Sequence, residues 1–225
     1  MSAFFRAARA ACILVLALTA SACVSASMDR ETRFTADSPT AFLVVASPPS
    51  HYASSADLRQ VDMAGGRWVG RDITFNGSAL FGDRVNNEQN ETIWLTFREV
   101  PAGDYAVIAL WTTDGIREAR ACLGPQGAPV YNLRPGTITI LRTDHLFRNA
   151  PTGIAAFRPS DRRVLDRLEA VRGGWPHVQG EPVFAQEVAT LDYEDGGIGW
   201  FSTCTPASTF TRREPGVRGP VKVIK

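Results

Sequence analysis

Nucleophilic and metal chemistry in proteins draws first on cysteine and histidine. This chain has four cysteines, at Cys12, Cys23, Cys122 and Cys204, and three histidines, at His51, His145 and His177. No Cys-x-x-Cys pair is present, so a zinc site built from these thiols lacks its usual spacing. Asp144 and His145 are adjacent, and neighbours on a strand point to opposite faces, which places them poorly to share one metal. A nucleophile needs a base within hydrogen-bond reach and usually an oxyanion hole. No Gly-x-Ser-x-Gly elbow occurs, and Cys122 or Cys204 paired with His145 would first need a free thiol. There is no Gly-x-Gly-x-x-Gly run and no phosphate loop. The acidic stretch "EDGG", Glu194 to Gly197, lacks the alternating ligands of a calcium-binding loop and reads as a solvated turn. Nothing singles out two of the 23 acidic residues as a glycosidase pair. The expectation is therefore no catalytic, cofactor-binding or metal-binding residue, and no enzymatic activity.

The cysteines have a second use, which depends on where the protein resides. Arg6 and Arg9 precede an apolar run, Ala10 to Leu18, which contains Cys12 and is followed by small residues. This is the order of a secretory signal: positive start, short apolar stretch, small-residue exit. The run is about half the roughly 20 residues needed to span a bilayer. In an oxidising compartment Cys122 and Cys204 are expected to pair as a disulfide, the alternative being two separate buried thiols. The closed loop would be long, worth roughly 4 kcal/mol in the chain-entropy description.

The stretch Ser21-Ala22-Cys23 resembles a bacterial lipobox, the site at which lipoproteins are cut and acylated on cysteine. Ala20 departs from that pattern, because Leu is usual there. The resemblance implies lipidation of Cys23 after removal of residues 1–22, and Val24 behind it implies sorting to the outer membrane. Cleavage by an ordinary signal peptidase is the alternative, giving a soluble periplasmic or secreted protein. Residues 23–38 are rich in Ser, Ala, Thr and charge and read as a flexible tether. The chain carries 24 Lys and Arg against 23 Asp and Glu, a balance that argues against nucleic acid as a partner.

The elements that would position these residues are mostly strands. "AFLVVAS", Ala41 to Ser47, is an apolar run stopped by Pro48-Pro49. Gly65-Gly66 marks a turn between "LRQVDM" and "RWVGRDITF", and Asn76-Gly77 carries a hairpin signal between "RDITF" and "SALFG". In "ETIWLTFREVPAGDYAVIALW", Ile93, Leu95 and Phe97 share one face and Trp94, Thr96 and Arg98 the other. Its second half is apolar on both faces, which predicts a strand in the middle of a sheet. "IREARAC", "PVYNL", "GTITILR", "TGIAAFRP", "PVFAQEVATL" and "GIGWFSTC" read as further strands. Between them, Val164, Leu165, Leu168 and Val171 keep helical spacing, with Ser160 as N-cap and Gly173-Gly174 as stop. This helix should cover an edge or end of a sheet. Trp94, Trp111 and Trp200 are expected in the core, Trp68 and Trp175 partly exposed.

The fold class expected is all-β, an antiparallel β-sandwich over 39–211 with one α-helix near 160–173 and a loose basic tail over 212–225. "REVPAGDYAVIAL" followed by "APVYNLRPGTITIL" resembles the turn and strand motifs of small bacterial envelope lipoproteins with a transthyretin-like or immunoglobulin-like sandwich, a DUF2846-like family of unknown function. The resemblance covers Glu91 to Leu141. It implies a sandwich on the bacterial cell envelope and transfers no catalytic residue. The expected function is that of a periplasm-facing protein, held on the membrane by its lipid and acting on an envelope protein partner by contact. The alternatives are a module binding a small ligand or a metal, and a hydrolase without sequence signature.

Overall fold

The apolar run after residue 40 forms a strand in which every residue from Ala41 to Ser47 is buried, and its position organises the rest. The computed structural model of the chain describes residues 31–47, 53–78, 83–86, 92–113, 118–143, 146, 160–195, 204–217 and 223–224. In chain order the strands are β1 (Thr40–Ser47), β2 (Ala53–Asp62), β3 (Arg67–Ser78), β4 (Asp83–Asn86), β5 (Thr92–Pro101), β6 (Gly103–Thr113), β7 (Glu118–Cys122), β8 (Ala128–Leu133) and β9 (Ile138–Arg142). Helix α1 (Asp161–Arg172) follows, then β10 (Pro182–Phe184), β11 (Glu187–Asp192), β12 (Thr211–Arg213) and β13 (Val223–Ile224). The smaller sheet runs β10-β9-β1-β5-β4 and the larger β12-β11-β8-β6-β2-β3, with β7 beside β6 and β13 beside β7. Most pairs are antiparallel; β9 lies parallel to both β1 and β10. This is the expected all-β sandwich with one helix among the described residues.

β1 is buried on both faces because the molecule has three layers. Ala41, Leu43 and Val45 face the larger sheet, in one cluster with Leu58, Phe75, Ile108, Leu110 and Leu191. Phe42, Val44 and Ala46 face the other way, in a second cluster with Ile93, Leu95, Phe97, Ile138, Ile140 and the helix residues Val164 and Leu168. The expectation for α1 is corrected here: it covers a face of the smaller sheet, not an edge or end. Fully burying side chains such as Val164 and Leu168 is worth about 1.5–3 kcal/mol each. The helix starts as its sequence predicts, with the Ser160 hydroxyl accepting from Arg163 N–H at 3.3 Å. Asp161 in its first turn is ion-paired to Arg142 of β9.

β6 lies in the middle of the larger sheet, as its two apolar faces predict. It pairs with β2 on one side, and with β8 and then β7 on the other. The β5–β6 connection is locked by its own residues. Gly103 adopts φ +145°, and the Tyr105 hydroxyl donates back to the Pro101 carbonyl at 3.0 Å. Gly136 adopts φ +68° and packs so closely on the Ala36 carbonyl that a Cβ would have no room.

Several expectations are corrected. Asn76-Gly77 does not turn the chain: β3 runs through it, with Asn76 opposite Ser55 and Gly77 opposite Ser54 of β2. A ten-residue partner strand offers more backbone pairing than a two-residue turn would, and the local preference yields. "PVFAQEVATL" is two strands that join different sheets, β10 in the smaller and β11 in the larger. The tether expected over 23–38 does not hold for its last residues, because Phe34 is buried under α1 with its ring 5.4 Å from Phe42, while residues 23–30 lie outside the described residues. Its backbone bonds both ways with the segment after α1, through the His177 carbonyl and the Gln179 N–H. The tail is not simply loose: β12 pairs with β11 and β13 with β7. "TGIAAFRP" and most of "GIGWFSTC" lie outside the described residues. Among the described residues no helix is long and apolar enough to cross a membrane.

Candidate functional site

Four strands bring one row of side chains to the outer face of the larger sheet. Thr74 of β3 lies opposite Asp57 of β2, Asp57 opposite Ala109 of β6, and Ala109 opposite Cys122 of β7. Strand alternation sends Ala56 and Leu58 into the sandwich and leaves Asp57 on this face. Cys204 completes the group: it is disulfide-bonded to Cys122, with the two Cα atoms 5.1 Å apart and the two residues 82 positions apart in sequence. Both cysteines are buried, and Ala109 and Trp111 pack against them. Trp111 was expected in the core. It is half-buried on this outer face, its indole N–H donating to the Asp57 carboxylate at 3.2 Å. The other oxygen of that carboxylate accepts from the Thr74 hydroxyl at 2.7 Å.

Beside the disulfide lies a second group of polar residues. Asp195 pairs in a short bridge with Pro206, and its carboxylate comes within 4.8 Å of both sulfurs. Bonded to each other, the sulfurs offer no thiolate to a metal at this position. Arg59 is ion-paired to Asp72 at 3.4 Å. Tyr193 is buried, with its ring on Gly124 and its hydroxyl 3.4 Å from the Ile108 carbonyl. Burial holds its ionisation well above the usual tyrosine range, and the charges of Asp195 and Asp72 push it further the same way. Near neutral pH it is therefore a neutral hydrogen-bond donor. Trp68 meets Tyr193 edge-on at 5.1 Å and Phe210 at 5.2 Å, while its indole donates to the Ala207 carbonyl at 2.8 Å.

This arrangement fastens the 204–210 segment to the sheet at three places: the disulfide, the Asp195–Pro206 bridge and the Trp68 indole. Its one built-in reaction is thiol–disulfide exchange, and the burial of both sulfurs keeps an external thiol from reaching them. Cys122 and Cys204 thus come together as the sequence predicts. Cys23, the predicted lipid site, lies outside the described residues, as do His51 and His145. His177 is exposed and contributes its backbone carbonyl to the Phe34 contact. Asp57, Arg59 and Asp195 carried no sequence signal, because each is a single polar residue without a partner at recognisable spacing. Trp68 and Trp175 are part-buried, Trp175 against Phe97 at 4.8 Å. Compared with family models, curated proteins and solved structures, the chain matches none.

Proposed function

We propose that this is an exported β-sandwich protein, held on the outer membrane of a bacterial envelope by lipid on Cys23, and acting by contact with another envelope component. The observation that carries the reading is the buried Cys122–Cys204 disulfide, since such bonds persist in oxidising compartments and are rare in the cytosol. The N-terminal order of positive charge, apolar run, small residues and Cys23 supports the same address. From Cys23 to the buried Phe34 an extended chain could reach about 36 Å, enough to hold the domain clear of a membrane surface. Acyl chains at about 0.8 kcal/mol per buried methylene then anchor the domain without a spanning helix. A route for contact exists in β3, a twelve-residue strand with β2 on one side and no strand on the other among the described residues. A free edge of this kind can accept a partner's strand.

The test is fractionation of bacteria expressing the full chain, with mass measurement of the mature N-terminus. The wild type should sediment with membranes and carry acyl mass on Cys23, and Cys23→Ala should move to the soluble fraction. Equal membrane retention in the variant, or a mature chain starting downstream without acyl mass, would overturn the anchor.

A further inference from the structure

The disulfide holds two soft metal ligands in a bonded, unreactive form. Cys122, Cys204 and Asp195 each bring one ligand atom, two sulfurs and a carboxylate oxygen, all within 4.8 Å of one another. With the bond closed the sulfurs are neutral and joined to each other. With it open they are thiols, which give up their protons to a metal. Two thiolates and a carboxylate are donors that zinc takes, at about 2.3 Å for sulfur and about 2.0–2.2 Å for oxygen. Around a tetrahedral ion two such sulfurs lie roughly 3.8 Å apart. Cysteines whose Cα atoms are 5.1 Å apart reach that spacing by rotating their side chains.

The three groups keep their places without the bond. Cys122 ends β7 and is fixed by pairing with Ala109 of β6, and the next N–H, that of Leu123, donates to the Ile108 carbonyl at 2.9 Å. On the other side Asp195 and Pro206 form their bridge, and the Ala207 N–H donates to the Glu194 carbonyl at 2.9 Å. The Trp68 indole holds the Ala207 carbonyl. Cys204, two positions before Pro206, therefore stays beside the end of β7 when the sulfurs part. Both cysteines are buried and Asp195 is half-buried, so water reaches the site on the carboxylate side and can supply a fourth ligand. The ion need not enter a closed interior. Ligands drawn from distant parts of a chain take up their metal as the chain folds.

We propose that the reduced protein binds one zinc-class divalent cation through Cys122, Cys204 and Asp195, in place of the disulfide. The carboxylate favours a divalent ion of this class over copper(I), which soft sulfur donors select. A phosphine opens the bond: phosphorus is oxidised to the phosphine oxide with oxygen from one water, and each sulfur gains a hydrogen. The divalent ion then displaces two thiol protons. The site is independent of the lipid on Cys23.

The test uses the full chain with Cys12→Ser and Cys23→Ser, which leaves Cys122 and Cys204 as its only cysteines. It is unfolded in urea, reduced with the phosphine, freed of reductant and refolded without oxygen in cobalt(II), then titrated with zinc. Cobalt should bind one per chain, with a thiolate charge-transfer band and the visible bands of tetrahedral coordination. Zinc should displace it and raise the Tm of the reduced protein, and the oxidised protein should show neither effect. Asp195→Asn should weaken zinc roughly tenfold or more, at least what loss of a supporting residue costs. Its oxidised form should keep the disulfide and the far-ultraviolet circular dichroism of the parent, so that the loss is one of a ligand and not of folding. No cobalt band in the reduced parent, equal zinc affinity in Asp195→Asn, or the same binding by the oxidised protein would each overturn the proposal.

Discussion

Tyr105 shows how a turn motif readable in the sequence works as chemistry. In "PAGDY" the glycine supplies the positive φ, and the tyrosine hydroxyl reaches back to the Pro101 carbonyl. Burial pushes its pKa up to about 12. The unfolded chain releases the same proton near pH 10. The stabilising effect is thus complete below pH 10 and lost as pH rises from there to about 12. Tyr193, shifted in the same direction, adds to the loss. Urea unfolding between pH 8 and about pH 11 should show stability falling with a slope that Tyr105→Phe reduces. At neutral pH that variant should be less stable by about 1 kcal/mol, because its hydrogen bond is gone. A wild-type slope unchanged by Tyr105→Phe would count against this reading. Other residues were not legible in this way. Asp57 and Asp195 gain their meaning from partners on other strands, and no spacing along the chain announces that.

Among the elements, those with a long periodic signal were readable and those decided by competition were not. The helix followed from Val164, Leu165, Leu168 and Val171, and the β5–β6 pair from its alternation. Asn76-Gly77 misled, because turn preference is local while β2 offers pairing along the length of β3. Phe34 was hidden in a polar stretch, where one aromatic is too little to signal an element. Its burial follows from the shape of the helix-side cluster, which includes Phe42, Ile138, Val164 and Val178. Phe34→Ala should cost roughly 3–5 kcal/mol in urea unfolding, as expected for a large buried aromatic. Ser160→Ala should cost about 1 kcal/mol through loss of the helix cap. If Phe34→Ala costs no more than an exposed substitution, the segment before β1 is a tether after all and does not belong to the core.

At the scale of the whole molecule, the sequence reveals stacked sheets but not which strands share a sheet. Burial patterns report that a residue has cover, and β1 would read the same under a helix or a second sheet. The disulfide matters most at this scale. It joins β7 to the segment ahead of β12, across a separation of 82 positions that includes α1 and strands of both sheets. Opening it leaves those contacts in place and frees the unfolded chain. Cys122→Ala with Cys204→Ala should therefore lower unfolding stability by roughly 2–5 kcal/mol without changing the far-ultraviolet circular dichroism. Cys204 adds a backbone component. Its φ of +48° is positive, the one such non-glycine residue among those described. A side chain there costs roughly 1–2 kcal/mol that glycine avoids. Combined with Cys122→Ala, Cys204→Gly should be more stable than Cys204→Ala by up to about 1 kcal/mol. Greater stability for the alanine version would mean that the bond itself, and not the surrounding clasp of Trp68, Tyr193 and Asp195, holds residue 204 in its left-handed conformation.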